Sequence, residues 1–181
     1  PRFFTSDRIV ENQDLKGTIF LNAQGDFLDV DYIIITNNEY LSHANRLAEY
    51  RRTNNNLNVK VVDVQTIYDE FSTGKQDIVA IRNFMKYVYD NASSPANRIK
   101  YLGIIGDSSV DYKDRLPGNN NIVPTFQSLN SFATTASSFM SDDFFVIMDD
   151  NEGTMAASDK MDFAVGRILV ETQTQAREAI D

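Results

Sequence analysis

The sequence predicts an α/β domain of three layers, in which a mainly parallel sheet carries helices on both faces. Short apolar runs at residues 32–36, 57–64 and 100–105 alternate with amphipathic segments. Crossovers of helical length return the chain to the same end of a sheet, so this alternation demands parallel pairing. The third run stops at the turn Gly106-Asp107. Such turns lie at the carboxyl edge of a parallel sheet, where α/β folds place their binding groups.

The first strand and helix are predicted at residues 32–36 and 39–52. The segment YIIIT is a continuous run rich in β-branched residues, which is typical of a strand buried on both faces. Within residues 39–52, Leu41, Ala44 and Leu47 fall in one arc at a helical period. His43 flanks this apolar arc, and with no second His in the chain we expect it to be a boundary residue rather than a ligand or base.

The second βα unit and the elements that follow it complete the predicted core. They are a strand at 57–64, a short helix at 65–71, a helix at 76–90 and a strand at 100–105. The helix at 76–90 is the best supported, since Ile78, Ile81, Met85 and Val88 recur at steps of three and four. Its aromatic residues, together with those of the short helix, are predicted to pack in the core.

Three further strands are predicted in the last third of the chain, at residues 122–126, 144–148 and 161–165. Residues 1–31, with a turn at Gln24-Gly25-Asp26, are predicted to be an entry segment that forms a strand or hairpin. Residues 32–181 then form one α/β subdomain. A final helix is predicted from residue 172, and because it is cut short at 181 we expect the domain to continue into another one.

Composition excludes several function classes. Lys and Arg number 17 against 26 Asp and Glu, and the net charge of −9 argues against nucleic acid or an anionic membrane as the principal partner. The chain has no Cys, so it has neither a disulfide framework nor a thiolate nucleophile. No apolar stretch approaches the ~18 residues of a membrane-spanning helix.

The densest acidic stretch suggests a calcium site. Its candidate ligands are Asp107, Asp142, Asp143, Asp149 and Asp150, with Glu152 beside them. Carboxylate oxygens are the ligands that Ca²⁺ prefers, although the segment DDNEG places its Gly one position too early for an EF-hand loop. A solvated acidic turn is the alternative. Arg167 is expected to pair with one of these carboxylates or to be a structural residue at a strand end.

The Gly106-Asp107-Ser108 turn also looks like the nucleophile segment of SGNH esterases. That chemistry requires a His downstream as the base, but His43, the only His, precedes the turn. The alternative is that Gly106 permits a tight turn and Asp107 caps local backbone N–H groups.

The order of the sequence blocks resembles one family, the gingipain-type cysteine peptidases, and within it the surface signal peptidases of type IX secretion. The blocks are DYIIIT at 31–36, VKVVDVQTIYDEFSTG at 59–74, AIRNFMKYVYD at 80–90, YLGIIGDSS at 101–109, SDDFF at 141–145 and FAVGRILV at 163–170. The family often has Pro where this chain has Leu169, a difference that alters the turn rather than the fold.

The resemblance implies a caspase-like catalytic unit of two α/β subdomains, of which this chain is the first and non-catalytic one. The catalytic Cys and a Gly-His-Gly motif belong to the second subdomain, beyond residue 181, so no catalytic residue is assigned in this chain. The expected partners are that catalytic subdomain and protein substrates, and the expected location is secreted or on the bacterial outer-membrane surface. No cofactor is required, with Ca²⁺ as the ion suited to the acidic stretch. An SGNH-like hydrolase and a stand-alone Ca²⁺-binding module are the alternatives.

Overall fold

A four-stranded parallel sheet lies at the centre of the computed structural model, which describes residues 14–17, 19–113, 115–128 and 138–180. Its strands are β1 (Tyr32–Thr36), β2 (Val59–Asp63), β3 (Tyr101–Ile105) and β6 (Ala164–Ile168), in the order β2-β1-β3-β6. Two short strands, β4 (Phe126–Gln127) and β5 (Met140–Ser141), form a separate antiparallel ribbon. The predicted parallel pairing of the first three strands is confirmed.

In the described part of the chain, four α-helices surround the sheet. They are α1 (Leu41–Asn55), α2 (Val64–Phe71), α3 (Ile78–Asp90) and α4 (Gln173–Ile180). The carboxylate of Asp63 accepts the Gln65 N–H at 3.0 Å and so caps α2, while Asp77 accepts the Val79 N–H at 2.8 Å and caps α3. Side-chain oxygens at these positions satisfy N–H groups that a helix leaves unpaired at its start.

Each face of the sheet has its own apolar core, which gives the predicted three layers. The helices α2 and α3 pack on the face that carries Ile33, Ile35 and Leu102. The helices α1 and α4 pack on the other face, against Ile34 and Ile105. The aromatic residues predicted for the core, from Tyr68 to Tyr89, all belong to the first of these clusters or pack against it.

Three of the predicted strands are wrong in detail. The strand at 122–126 shrinks to the two residues of β4, and the apolar run at 144–148 instead forms a 3₁₀ helix, Asp143–Val146. The strand predicted at 161–165 begins three residues later, as β6, because Ala164 is the residue that aligns with Tyr101 of β3. In this last third of the chain the local pattern does not set the register, whereas pairing with β3 does.

The described part of the entry segment packs onto the main core. Leu21 and Phe27 form an antiparallel bridge around the turn at 22–26, and the buried Phe20 stacks on Phe27 with ring centroids 5.5 Å apart. Residues 1–13 and Thr18 lie outside the described residues. A domain boundary at residue 31 stays a prediction. Within the ranges given above, no helix is long and apolar enough to cross a membrane.

Candidate functional site

The turn after β3 lies at the carboxyl edge of the sheet and requires glycine. Gly106 has φ +131°, a backbone conformation that residues with a Cβ rarely adopt. A Cβ built on it would lie 2.4 Å from Cγ2 of Ile122. The chain segment that follows the turn therefore packs directly against the Gly106 backbone, and the turn is as tight as the sequence predicts.

Asp107 organises the backbone around this turn. Its N–H donates to the Val170 carbonyl at 3.0 Å, and its own carbonyl accepts the N–H groups of Ile122 and Val123. Its carboxylate accepts the Ser108 N–H at 2.7 Å. The prediction that Asp107 caps local backbone N–H groups is confirmed.

Arg167 on β6 joins three segments at this edge. Its guanidinium makes a bidentate pair with the Asp142 carboxylate, with Nε–Oδ2 at 2.8 Å and Nη2–Oδ1 at 2.6 Å. It also donates to the carbonyls of Gly106 at 2.9 Å, Val123 at 2.7 Å and Pro124 at 3.4 Å. A planar fork of N–H donors suits this combination of a carboxylate and several carbonyls. The predicted pairing of Arg167 with an acidic residue is confirmed, and Asp142 is its partner.

Each acidic residue predicted to bind calcium makes its own, different contacts. Both oxygens of Asp142 face Arg167, and Oδ1 also accepts the Thr125 hydroxyl at 2.8 Å. Asp143 begins the 3₁₀ helix, and the Asp149 carbonyl accepts the Glu152 N–H at 3.1 Å. With Asp107 bound to its own neighbour, these carboxylates do not converge on one point.

Two basic residues of α3, which the sequence analysis did not single out, hold the acidic turn. Arg82 donates to the Ile147 carbonyl from Nη2 at 2.7 Å and to the Glu152 carbonyl at 3.2 Å. Lys86 donates to the Met148 carbonyl at 2.8 Å and pairs with Asp150 at 3.2 Å. Backbone carbonyl oxygens are also ligands for Ca²⁺, so these positively charged side chains would compete with a metal ion for them.

Among the residues that the structure describes, no three His, Cys, Asp or Glu side chains are grouped so that they hold a metal ion. Glu152 also binds the protein backbone, since its Oε1 accepts the Lys160 N–H at 3.2 Å. Calcium binding by this segment stays a prediction, without a preformed site among these residues.

A pocket of about 420 Å³ opens beside the Arg167 and Asp142 pair. One wall is formed by residues 76–78, at the start of α3, and the other runs along β4. The lining residues are Gln76, Asp77, Ile78, Tyr112, Pro124, Thr125, Gln127 and Ser128. A concave pocket with both polar and apolar lining at the carboxyl edge of a sheet is a candidate binding site.

The hydroxyl group of Tyr68, on α2, is buried. Its oxygen has no hydrogen-bond partner among the described residues. Burial raises its pKa well above the ordinary value for tyrosine, and the nearby Asp77 carboxylate, which lines the pocket, raises it further. The phenol therefore stays neutral at all physiological pH values.

Neither His43 nor Ser108 has the surroundings of a catalytic group. His43 is half-buried on α1, and its Nε2 lies 2.9 Å from Oε1 of Gln173 on α4. Ser108 uses its backbone N–H to bind Asp107. No hydrogen bond connects His43 with Ser108 in the described part of the chain, so the boundary role predicted for His43 fits its position.

Comparison with known proteins identifies a peptidase family and a similar solved structure. The model of peptidase family C25 matches residues 26–181. The crystal structure of dimeric latent PorU from Porphyromonas gingivalis is similar, with a TM-score of 0.70 and 32% sequence identity. No curated protein matches the chain.

The two proteins differ greatly in length. The alignment with PorU covers 83% of this chain but 15% of the PorU chain. The architecture common to both is thus the parallel sheet with its surrounding helices, and the resemblance inferred from the sequence blocks is confirmed at the level of the family.

Proposed function

The chain belongs to peptidase family C25, the gingipain family, and we propose that it is the non-catalytic N-terminal subdomain of a gingipain-like cysteine endopeptidase. The match of the family model over residues 26–181 is the observation that carries this proposal. In the proposed role this subdomain packs against a catalytic subdomain of the same protein and forms one wall of the cleft that receives protein substrates.

The absence of Cys from this chain supports the proposal that the catalytic step belongs to another part of the protein. A cysteine peptidase needs a thiolate that attacks the peptide carbonyl, an imidazole that moves the proton and N–H donors for the oxyanion. This chain has no thiol, and its only His bonds to Gln173. The proposed contribution of the chain is therefore to support the cleft rather than to react.

The exposed surface next to β6 supports a covering partner. β6 is the outermost strand of the sheet, and no further strand pairs with it among the described residues. The large apolar residues beside it are open to solvent, with Leu169 67% exposed and Met161 56% exposed. Unpaired strand edges and apolar surface of this kind are usually covered in a complete protein.

The relationship to PorU supports a more specific role. We propose that the parent protein acts as a signal peptidase of type IX secretion, which places it outside the cell or on the outer-membrane surface. Identity of 32% over most of this chain is the support for that choice within the family.

Peptidase assays on two forms of the protein test the proposal. The 181-residue chain is expected to show no turnover of a peptide library, whereas the parent protein that continues beyond Asp181 is expected to cleave it. Replacement of the parent's catalytic Cys by Ala should abolish cleavage. Activity of the isolated chain that is lost on Ser108→Ala would contradict the proposal and favour an SGNH-like hydrolase. Calcium binding together with an inactive parent protein would favour a binding module.

A further inference from the structure

At the end of α2, the Glu70 carboxylate binds three successive backbone N–H groups. Its Oε1 accepts the N–H of Asp14 at 3.0 Å and that of Leu15 at 2.8 Å, and its Oε2 accepts the N–H of Lys16 at 3.1 Å. Successive N–H groups that converge on one anion bind it well, and hydrogen bonds to an ionised acceptor are stronger than neutral ones. One side chain of α2 therefore holds a turn that lies 54 to 56 positions earlier in the chain.

Lys16 makes a second contact at the same place. Its Nζ donates to the Glu70 carbonyl at 3.2 Å and lies 4.1 Å from the centroid of the Phe71 ring. An ammonium group is attracted to the face of an aromatic ring. The polar attachment of the turn is thus concentrated on two neighbouring residues in the last turn of α2.

The segment that follows this turn closes on itself. We call residues 14–17 and 19–28 the strap. The Leu28 N–H donates to the Phe20 carbonyl at 2.7 Å, and the Asn22 N–H donates to the Asp26 carbonyl at 2.9 Å. In the described part of the chain, residues 19–28 make hydrogen bonds only to other residues of the strap. The strap can therefore move as one unit without breaking its internal hydrogen bonds.

The strap covers an aromatic surface between α2 and α3. The Phe20 ring lies 5.9 Å from that of Phe84, and the Phe27 ring meets Tyr87 edge to face at 6.0 Å. Phe71 lies against both Phe84 and Tyr87, at 5.8 Å and 6.1 Å. Displacement of the strap would expose the rings of Phe71, Phe84 and Tyr87 to solvent.

The other end of the strap is followed by a fixed point. The Asp29 carboxylate accepts the Ser93 N–H at 2.8 Å and the Asn97 side-chain amide at 3.0 Å, and β1 begins at Tyr32. The strap thus lies between an anchored residue, Asp29, and the contact with Glu70. Loss of the Glu70 contact would free the far end while the anchored end stays in place.

We propose that the strap is a releasable cover of the α2–α3 face and that Glu70 holds it closed. It opens about Asp29 as a unit while the parallel sheet stays folded, because segments with few contacts to the rest of a domain open at a lower free energy than the whole domain. The open state presents the aromatic surface of α2 and α3. This device is independent of the peptidase assignment, since it uses only contacts within the chain.

Native-state amide hydrogen exchange of the ¹⁵N-labelled chain tests the proposal without any variant. The Asn22 and Leu28 amides report on the strap, and those of Ile34 and Ile104 report on the sheet. Exchange is measured at low urea concentrations, where its dependence on urea increases with the surface exposed by the opening reaction. The strap amides should exchange at least about tenfold faster than the sheet amides and with a weaker urea dependence.

Two outcomes of this measurement would overturn the proposal. Equal exchange rates and equal urea dependences in the strap and the sheet would mean that the strap opens only with the whole domain. Strap amides that exchange as fast as those of an unfolded chain would mean that the strap is not closed.

A pair of variants tests the role of Glu70. Glu70→Gln removes the negative charge and one acceptor oxygen, and should speed exchange of the Asn22 and Leu28 amides about tenfold while the sheet amides are unchanged. The control is Glu49→Gln, since Glu49 pairs with Arg52 on α1 and has no contact with the strap. It should change neither set. Strap exchange that is the same in Glu70→Gln as in the unmodified chain would refute the role of Glu70.

Discussion

The Arg167 guanidinium and the Asp142 carboxylate form a two-point ion pair that joins the outer strand of the sheet to the segment after β5. The side chains are 8% and 17% exposed. Removing one partner of a pair buried to this extent is strongly destabilising, because the remaining charge is poorly solvated. The pair also fixes the wall of the pocket, since Arg167 binds the carbonyls of Val123 and Pro124.

Arg167→Met is therefore expected to lower the free energy of unfolding by about 3–5 kcal/mol, measured by urea denaturation. The matched control is Lys100→Met, which removes the exposed pair between Lys100 and Asp31, with side chains 52% and 27% exposed. A pair in solvent contributes less than about 1 kcal/mol. Equal losses in the two variants would contradict the structural role assigned to Arg167.

Gly106→Ala tests the tight turn after β3. Gly118→Ala is the control, since Gly118 also has a positive φ, of +77°, but a Cβ there meets nothing within 4 Å. In the control, backbone strain alone should lower the free energy of unfolding by about 1–2 kcal/mol. Gly106→Ala should lower the free energy of unfolding by about 1–3 kcal/mol more than the control does, because the new methyl group overlaps Ile122. Ile122→Ala should restore part of that difference. Identical losses at both glycines would refute the close packing.

Asp29 predicts a pH dependence of stability. Hydrogen bonds from the Ser93 hydroxyl and N–H, with a further one from Asn97, hold the pKa of Asp29 below its usual value. A lowered folded-state pKa stabilises the fold above the unfolded-state value of about 3.9, and the contribution is lost as the pH falls through the folded-state value.

Asp29→Asn should accordingly reduce the free energy of unfolding at pH 7, and the difference from the unmodified chain should shrink as the pH falls below about 4. Asp149→Asn is the control, because the Asp149 carboxylate makes no hydrogen bond in the described residues. Denaturation curves at several pH values measure the effect. A difference that is constant with pH would contradict the assignment.

Calcium binding at the acidic segment is a separate prediction. With Asp142 committed to Arg167 and the turn held by Arg82 and Lys86, we expect any Ca²⁺ affinity to be weak, about millimolar. Calorimetric titration of the chain with CaCl₂, with the double variant Asp149→Asn and Asp150→Asn as a comparison, measures it. A dissociation constant well below millimolar would contradict the expected weak affinity, whereas no heat and no change of melting temperature with Ca²⁺ or chelator would favour a solvated acidic turn.

The sequence was sufficient for the elements whose local signals agree. β1 and β3 lie where the apolar runs predict them, because turn residues bound each run and both faces are buried. The strand predicted at 144–148 is wrong because a short apolar segment fits a buried strand and a buried helical turn equally well. Packing of Phe144 and Phe145 against α3 decides in favour of the 3₁₀ helix.

The candidate site was less accessible to sequence reasoning. The pattern indicated that Arg167 has an acidic partner, but the choice of Asp142 depends on a contact between residues 25 positions apart. The sequence did not indicate a role for Arg82 and Lys86, since basic residues on an amphipathic helix usually face solvent. The register of the ribbon formed by β4 and β5 is likewise not specified by the sequence of two short strands.

The proposal that this chain is one half of a two-part catalytic unit is tested most directly by a comparison of melting temperature and association state. Light scattering and thermal unfolding are measured for the 181-residue chain and for the parent protein that continues through the catalytic Cys. We expect the isolated chain to melt at a lower temperature and to self-associate through the exposed surface beside β6, and the longer protein to be more stable and to stay dispersed. A highly stable monomer of 181 residues, with no gain on extension, would contradict it.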